Sequence, residues 1–324
     1  MSSIVSTGIF VPPKILSNVD LEKMVETSDE WIRERTGIRE RRVADATMTT
    51  SDMGMLASKE ALRSAGISPE DIDLIIVSTM TPDMLCPSTA CLVQAKLGAS
   101  RAACFDLSAA CSGFVYGLDI MDKFLDGGRQ KTGLLIGAEK LSSSINWKDR
   151  NTCILFGDGA GATVMVKGND GHRVVASCLG SDGLGADMLK IPAGGCAAPA
   201  TQETVAMGLH YLTMEGREVF KRAVAVMSAS TLEVLDVAGM KPEDITLFIP
   251  HQANKRIIDG VAKKLSISDR KIFLNVDKYG NTSAASIIVA LHEASLCGRI
   301  QKGDYVLMTA FGAGFTWGSS IIQW

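Results

Sequence analysis

Short apolar runs alternate with longer segments of helical periodicity along most of the chain. The pattern predicts helices over residues 51–64, 88–97, 112–125, 218–238, 255–265 and 283–297. It predicts strands over residues 73–78, 102–107, 134–138, 245–249 and 305–310. Because strands alternate with helices, we expect an α/β fold in which largely parallel sheets are covered by helices.

Residues that begin and end helices stand at several of these boundaries. Ser51 and Ser88 occupy the expected N-cap positions, and Gly66 and Gly98 follow the expected last turns. Serine accepts a hydrogen bond from a free N–H group of the first turn, and glycine adopts the left-handed backbone that often ends a helix. These residues therefore support the predicted bounds of the first two helices.

The chain contains an internal repeat. Residues 65–76 and 238–249 are identical at eight of twelve positions. At about the same offset, residues 108–112 match residues 283–287, which pairs Cys111 with Ser286, and the apolar run 134–138 matches 306–310. The repeat implies that the chain has two similar halves. We expect the boundary between them in the turn-rich stretch 168–171, which gives halves of residues 1–170 and 171–324.

Composition narrows the class of protein. The 324 residues are 46% hydrophobic and carry a formal net charge of −3, which favours a globular chain and gives no general attraction for nucleic acid. We find no charged leader followed by an apolar run and no apolar run long enough for a membrane. Eight cysteines without a C-x-x-C pair indicate a reducing compartment, the cytoplasm, and no metal site.

Cys111 is the candidate nucleophile. It stands between the predicted strand 102–107 and the predicted helix 112–125, at the helix N-terminus. The positive end of a helix dipole favours a thiolate, so we expect a lowered thiol pKa. Small neighbours such as Ala110 and Gly113 leave room for a substrate. The alternative is that Cys111, like most free cysteines, is a small buried residue.

Candidate partners of this thiol occur in the second half. His251 follows the strand 245–249 in a polar turn, where open α/β sheets place their ligands. Asn281 precedes the helix that repeats the Cys111 helix, although it could simply cap that helix. The glycine loop 311–315 could direct backbone N–H groups at an oxyanion or could serve close packing, and the glycines of 156–161 indicate packing.

Four ordered motifs resemble the beta-ketoacyl-acyl carrier protein synthase III family. They are DLSAACSGF at 106–114, PHQAN at 250–254, GNTS at 280–283 and FGAGFTWG at 311–318. The resemblance covers nearly the whole chain. It implies a thiolase fold with layers in the order α-β-α-β-α, a homodimer, and initiation of fatty-acid synthesis from acyl-CoA and malonyl-acyl carrier protein. It implies no cofactor, since coenzyme A enters as a thioester substrate.

The resemblance also implies residue roles. Cys111 would carry the acyl group, and His251 and Asn281 would polarise the malonyl thioester, while the N–H groups of Cys111 and Ala313 would hold the oxyanion. Coenzyme A would bind to Thr27, Trp31, Arg35, Arg150, Phe220, Asn254 and Phe311. Basic residues near the cleft would bind the acidic carrier protein, namely Lys221, Lys255, Arg256, Lys263 and Lys264. Cys86 would end the acyl pocket of the partner subunit.

Other readings stay open at this point. A thiolase would need a second cysteine near the C-terminal glycine loop, and an elongating synthase would have histidine where this chain has Asn281. A related condensing enzyme of polyketide or quinolone synthesis would use the same three residues with a different starter. A non-catalytic partner of the same fold is the alternative from another class.

Overall fold

The computed structural model describes residues 2–168 and 171–324. Within them the α-helices are α1 Asn18–Glu22, α2 Asp29–Thr36, α3 Thr50–Ala65, α4 Thr89–Leu97, α5 Gly113–Gly127, α6 Arg150–Cys153, α7 Gln202–Ala206, α8 Gly216–Ala238, α9 Lys255–Lys264, α10 Val276–Tyr279 and α11 Ser286–Leu296. The strands are β1 Ser2–Phe10, β2 Ile15–Ser17, β3 Glu40–Arg42, β4 Leu74–Ser78, β5 Ala103–Leu107, β6 Thr132–Glu139, β7 Gly159–Lys167, β8 His172–Ser181, β9 Leu189–Lys190, β10 Thr213–Met214, β11 Leu247–Pro250, β12 Tyr305–Gly312 and β13 Thr316–Gln323.

The predicted helices and strands are all present, with ends shifted by at most three residues. Gly66 and Gly98 cap α3 and α4 in the left-handed conformation, and Ser88 caps the start of α4, as predicted. The cap of α3 is Thr49 rather than Ser51. Ser51 is already the second residue of α3, where its hydroxyl and its N–H group both donate to Asp83.

The main sheet has the strand order β11-β12-β13-β8-β1-β7-β6-β4-β5 in the described residues. Its two ends use parallel pairs, β4 with β5 and β6, and β11 with β12, while its middle is antiparallel. Strands β1 and β8 join only through the pairs Ser3–Arg173 and Ile4–His172. The predicted boundary falls between β7 and β8 on Asn169 and Asp170, which lie outside the described residues, so the division stays a prediction.

Three buried clusters define the layers. Helices α3 and α4 pack on the outer face of the β4–β7 region, through side chains such as Met53 and Val93. Helices α8 and α9 cover the outer face of the β11–β13 region, through side chains such as Met227 and Ile258. Helices α5 and α11 lie between the two sheet regions and contact both. The expected layer order α-β-α-β-α is therefore confirmed.

The sequence repeat corresponds to a structural repeat, with one correction of register. α3 and α8 both end at a left-handed glycine, and both are followed by a short 3-10 helix and a parallel strand. Ala110 (φ 46°) and Ser283 (φ 49°) begin equivalent 3-10 helices ahead of α5 and α11. The backbone equivalent of Cys111 is therefore Ala284, and the pairing of Cys111 with Ser286 was wrong.

The described residues contain no helix long and apolar enough to span a bilayer. The glycine segment 156–161 leads into β7, where a Cβ added at Gly161 would lie 2.3 Å from the Ile288 side chain on α11. These glycines allow a helix to pack closely on a strand. The packing interpretation of the segment is confirmed.

Candidate active site

Cys111 lies in the 3-10 helix Ala110–Ser112, between β5 and α5, and only 9% of its surface is exposed. A second segment reaches it from the end of β12. A Cβ added at Gly312 would lie 2.7 Å from the Cys111 backbone nitrogen. Glycine at 312 therefore lets the loop after β12 approach the peptide that carries the nucleophile.

The electrostatic environment of the thiol differs from the one that we expected. The pKa of Cys111 is raised to about 12, chiefly by burial; the Ser283 hydroxyl lowers the pKa and the Glu139 carboxylate raises it. Moving a thiolate from water into this buried site costs more free energy than the hydrogen bonds to the sulfur recover. The predicted lowering of the thiol pKa by the helix terminus is therefore not found.

His251 follows β11 and is buried. Its backbone N–H group donates to the Thr309 carbonyl at 2.8 Å, and its Nδ1 is 2.6 Å from the Ser286 hydroxyl. Ser286 Oγ also accepts from the Gln252 N–H group, so its own hydrogen can be donated to Nδ1. In the tautomer that accepts this hydrogen bond at Nδ1, the ring proton lies on Nε2. Burial lowers the pKa of His251 to about 3, which keeps the imidazole neutral.

Asn281 is fixed by the backbone of two segments. Its N–H group donates to the Leu155 carbonyl at 2.8 Å, and its own carbonyl accepts from Gly157 at 3.0 Å. Its side-chain Oδ1 accepts from the Ser283 N–H group at 2.8 Å. Asn281 does not cap α11, whose N-cap is Ala285. Because Oδ1 is occupied, the amide Nδ2 is the end of the side chain that can donate to a ligand.

A cavity of about 110 Å³ brings these residues together. Its wall is mostly apolar and includes side chains from both halves of the chain. The lining residues are Met80, Ala110, Cys111, Leu155, Phe156, Leu189, Leu212, Met214, Gly216, Val219, Phe220, Ala223, Met227, His251, Ala253, Asn254, Ile257, Asn281, Phe311 and Ala313. A thiol, a neutral imidazole and an amide therefore meet in one apolar chamber, a set suited to nucleophilic chemistry on a carbonyl compound.

Comparisons with known proteins agree with this geometry. Models of 3-oxoacyl-(acyl-carrier-protein) synthase III match residues 105–183 and 235–324. The chain is 57% identical to beta-ketoacyl-(acyl-carrier-protein) synthase III of Caldanaerobacter subterraneus subsp. tengcongensis, covering 100% of this chain and 98% of the relative. The chain belongs to the beta-ketoacyl-(acyl-carrier-protein) synthase III family.

Solved structures of synthase III proteins establish the fold. The crystal structure from Aquifex aeolicus superposes with a TM-score of 0.93 at 50% identity, and all of both chains is covered. A priming beta-ketosynthase from the R1128 polyketide pathway superposes with a TM-score of 0.92 at 34% identity, over 100% of this chain and 96% of its own. The chain therefore has the thiolase fold of this family, and it is a condensing acyltransferase.

Two arginines flank Trp31 in this synthase III chain. The guanidinium carbons of Arg35 and Arg150 lie 5.4 and 5.0 Å from the centroid of the indole ring. The nearby Thr27 hydroxyl oxygen is buried and has no partner within the described residues. Asn254 caps α9 and donates to the Arg35 carbonyl at 3.2 Å. The residues that the resemblance assigned to coenzyme A thus form one group beside the cavity, which Phe220, Asn254 and Phe311 line.

The basic residues assigned to the carrier protein are all exposed. Arg256 lies over the Phe220 ring at 5.8 Å, which places α9 beside the cavity wall and beside Lys221 on α8. Lys255 and Lys221 pair with Asp259 and Glu218 of their own helices. Lys263 and Lys264 lie in the last turn of α9, where they complement the helix dipole.

Cys86 is exposed and does not line the cavity of its own chain. Ala313 lines the cavity and is not among the described residues with positive φ, so alanine fits this loop without backbone strain.

Sequence reasoning missed Glu139, Ser283 and Ser286. The available signals were a carboxylate directly after an apolar run, one serine inside the motif at 280–283 and one serine three residues beyond that motif.

Proposed function

We propose that this synthase III condenses an acyl-CoA primer with malonyl-acyl carrier protein to give a beta-ketoacyl product, the first carbon–carbon bond of fatty-acid synthesis. The observation that carries the proposal is the single buried cavity lined by Cys111, His251 and Asn281. The thioester carbonyl is the electron sink of this chemistry, so the reaction needs no cofactor. Eight free cysteines suit a reducing compartment, and we place the reaction in the cytoplasm.

The first step is acyl transfer. The Cys111 sulfur attacks the thioester carbonyl as the thiol loses its proton, and the carbonyl oxygen becomes an oxyanion. The N–H groups of Cys111 and Ala313 stabilise this oxyanion. The bond between the carbonyl carbon and the coenzyme A sulfur then breaks, and coenzyme A leaves as a thiolate, which takes up a proton from water. The acyl group remains as a thioester in the apolar cavity.

The second step is decarboxylation and condensation. The malonyl thioester oxygen accepts hydrogen bonds from His251 Nε2 and Asn281 Nδ2, which stabilise the enolate as carbon dioxide leaves. The low pKa of His251 keeps its imidazole neutral when the negative malonyl carboxylate enters the apolar cavity. The ring therefore acts as a hydrogen-bond donor and does not take up a proton. The enolate carbon attacks the acyl carbonyl, the bond to sulfur breaks, and Cys111 is released.

The entrance carries features that suit the two substrates. The indole of Trp31 with the guanidinium groups of Arg35 and Arg150 suits a purine and phosphates. Exposed cations on α8 and α9 suit an acidic carrier protein, whose phosphopantetheine arm would enter past Phe220. We expect a homodimer in which Cys86 of a second copy ends the acyl cavity, with room for longer or branched primers.

The proposal is tested by intact-protein mass spectrometry after mixing with a series of acyl-CoA compounds. We expect a gain of one acyl group in the wild type, no gain in Cys111→Ala, and an unchanged gain in Cys104→Ala, which removes a cysteine of the preceding strand. No gain with any primer would contradict the proposed function. Acceptance of acetyl-CoA alone would refute the role of Cys86, and a monomer in light scattering would refute the dimer.

The other readings have less support. A polyketide-priming role rests on a 34% identical neighbour, against 57% for a synthase III relative. A non-catalytic partner would have no need for Cys111, His251 and Asn281 in one cavity. Condensation with the carrier protein of fatty-acid synthesis, compared with a polyketide carrier protein, separates the first two candidates.

A further inference from the structure

Glu139 is a fully buried carboxyl group at the end of β6, where the proposed mechanism gives it no part. Its Oε2 accepts from the Thr81 hydroxyl at 2.6 Å, from the Thr81 N–H group at 3.1 Å and from the Thr79 hydroxyl at 3.2 Å. The Met80 N–H group is 3.2 Å from both carboxyl oxygens. A buried carboxyl group surrounded by neutral donors is costly, so its presence beside an apolar cavity calls for a reason.

Ser283 connects this carboxyl group to the cavity. Its hydroxyl donates to Glu139 Oε1 at 3.0 Å. The 3-10 helix Ser283–Ala285 packs against the 3-10 helix Ala110–Ser112, and the Ser283 hydroxyl lowers the pKa of the Cys111 thiol. The Ser283 backbone N–H group holds the side chain of Asn281 at 2.8 Å. One serine therefore binds the amide donor and the buried acid and lies on the segment that packs against the nucleophile.

The charges of Glu139 and Cys111 oppose each other. Burial raises the pKa of Glu139 to about 7, and the Glu139 carboxylate raises the pKa of the Cys111 thiol. Two buried acids that are coupled in this way hold one negative charge between them more readily than two. A proton on Glu139 would sit on Oε1, towards Ser283, because Oε2 already accepts from four donors.

Other titratable groups near Glu139 already form hydrogen bonds with other residues. The Lys140 ammonium is held by the carbonyls of residues 45, 46 and 48. Asp158 accepts from the N–H group of Ala44 and from Ser142. His251 is bound through Nδ1 to Ser286, and its low pKa makes it a poor proton acceptor. Glu139 is the stronger base of the two that are buried around Cys111.

We propose that Glu139 and Ser283 form a relay that accepts the Cys111 proton during acyl transfer. The inference rests on the proposed role of Cys111 as the nucleophile. As sulfur attacks the thioester, the S–H bond breaks and its proton passes to Ser283 Oγ, while the Ser283 hydroxyl proton passes to Glu139 Oε1. The negative charge moves from the carboxylate to the oxyanion and then to the leaving coenzyme A sulfur. Glu139 acts through Ser283 and is thus a positioning residue.

The relay is tested with Glu139→Gln and Ser283→Ala. The glutamine has nearly the shape of the acid but cannot take up the proton. Alanine fits at 283 because Ala110, at the equivalent position of the first half, has φ 46° against 49° for Ser283. The measurement is the rate of acyl-enzyme formation from acetyl-CoA, followed by rapid-quench mass spectrometry between about pH 5.5 and 8.5, about 1.5 units on either side of neutrality. Circular dichroism checks that each variant is folded.

We expect the wild-type rate to rise with pH through about 7, because the relay needs an ionised Glu139. Both variants should acylate on the order of 100-fold more slowly and lose this inflection, as expected when a general base is removed. Glu139→Asp, which keeps a carboxylate, should recover the inflection. A folded variant with a wild-type rate and inflection would overturn the relay alone. A wild type that takes up no acyl group would overturn the proposed function and the relay together.

Discussion

Gly312→Ala tests whether the loop after β12 sets the position of the nucleophile. The new Cβ would lie 2.7 Å from the Cys111 backbone nitrogen and 3.1 Å from the Ser112 nitrogen, whereas ordinary contacts begin at 3.4 Å. Because these neighbours are backbone atoms, a side chain cannot turn aside, and the peptide that carries the Cys111 N–H group must move by about 0.7 Å. That N–H group is a proposed oxyanion donor, and loss of one such donor slows acyl transfer by about 100-fold or more.

The assay is the rate of acyl-enzyme formation from acetyl-CoA, measured together with urea unfolding. We expect the free energy of unfolding to fall by about 1–3 kcal/mol, as for other overpacked sites. Gly159→Ala is the matched control, because its Cβ would meet its nearest neighbours at ordinary distances of 3.5–3.7 Å. A Gly312→Ala protein that acylates at the wild-type rate would show that the approach of this loop does not position the nucleophile.

Three further predictions concern the other parts of the site. His251→Ala and Asn281→Ala should slow condensation by about 100-fold while Cys111 still takes up an acyl group, and equal loss of both steps would contradict the assigned roles. Trp31→Ala should raise KM for acyl-CoA about tenfold with little change in kcat, which steady-state kinetics would check. His251→Gln should reduce the loss of stability on acidification. Between pH 6.5 and about 3, His251 binds a proton in the unfolded chain but stays neutral in the folded protein, so acidification favours unfolding of the wild type. The check is the free energy of unfolding of both proteins, measured with urea from pH 7 to 4, a range that covers most of this interval. If His251 were already charged in the folded protein, the variant and the wild type would lose the same stability.

Much of the fold could be predicted from local patterns. The repeat at 65–76 and 238–249 marked two similar halves, because a left-handed glycine, a short 3-10 helix and a parallel strand follow in the same order in each. Of the strands that were missed, β1, β7, β8 and β13 form the middle of the main sheet, and β2, β3, β9 and β10 form two small sheets. Buried and half-buried positions do not alternate strictly in β1, and β8 has only half-buried and exposed positions, so neither strand keeps the period of two that marks a strand in the sequence.

The sequence by itself determined which residue types reach the cavity, since Cys111 and His251 each follow a predictable strand and Asn281 precedes a predictable helix. Only the tertiary structure decided their chemical state. Ser286 meets His251 across 35 residues, and Ser283 meets Glu139 across 144. Burial, rather than the helix terminus, sets the pKa of the Cys111 thiol. Helix and strand patterns depend on neighbours a few positions away, whereas pKa values and hydrogen-bond partners depend on which distant segments exclude water, and packing alone settles that.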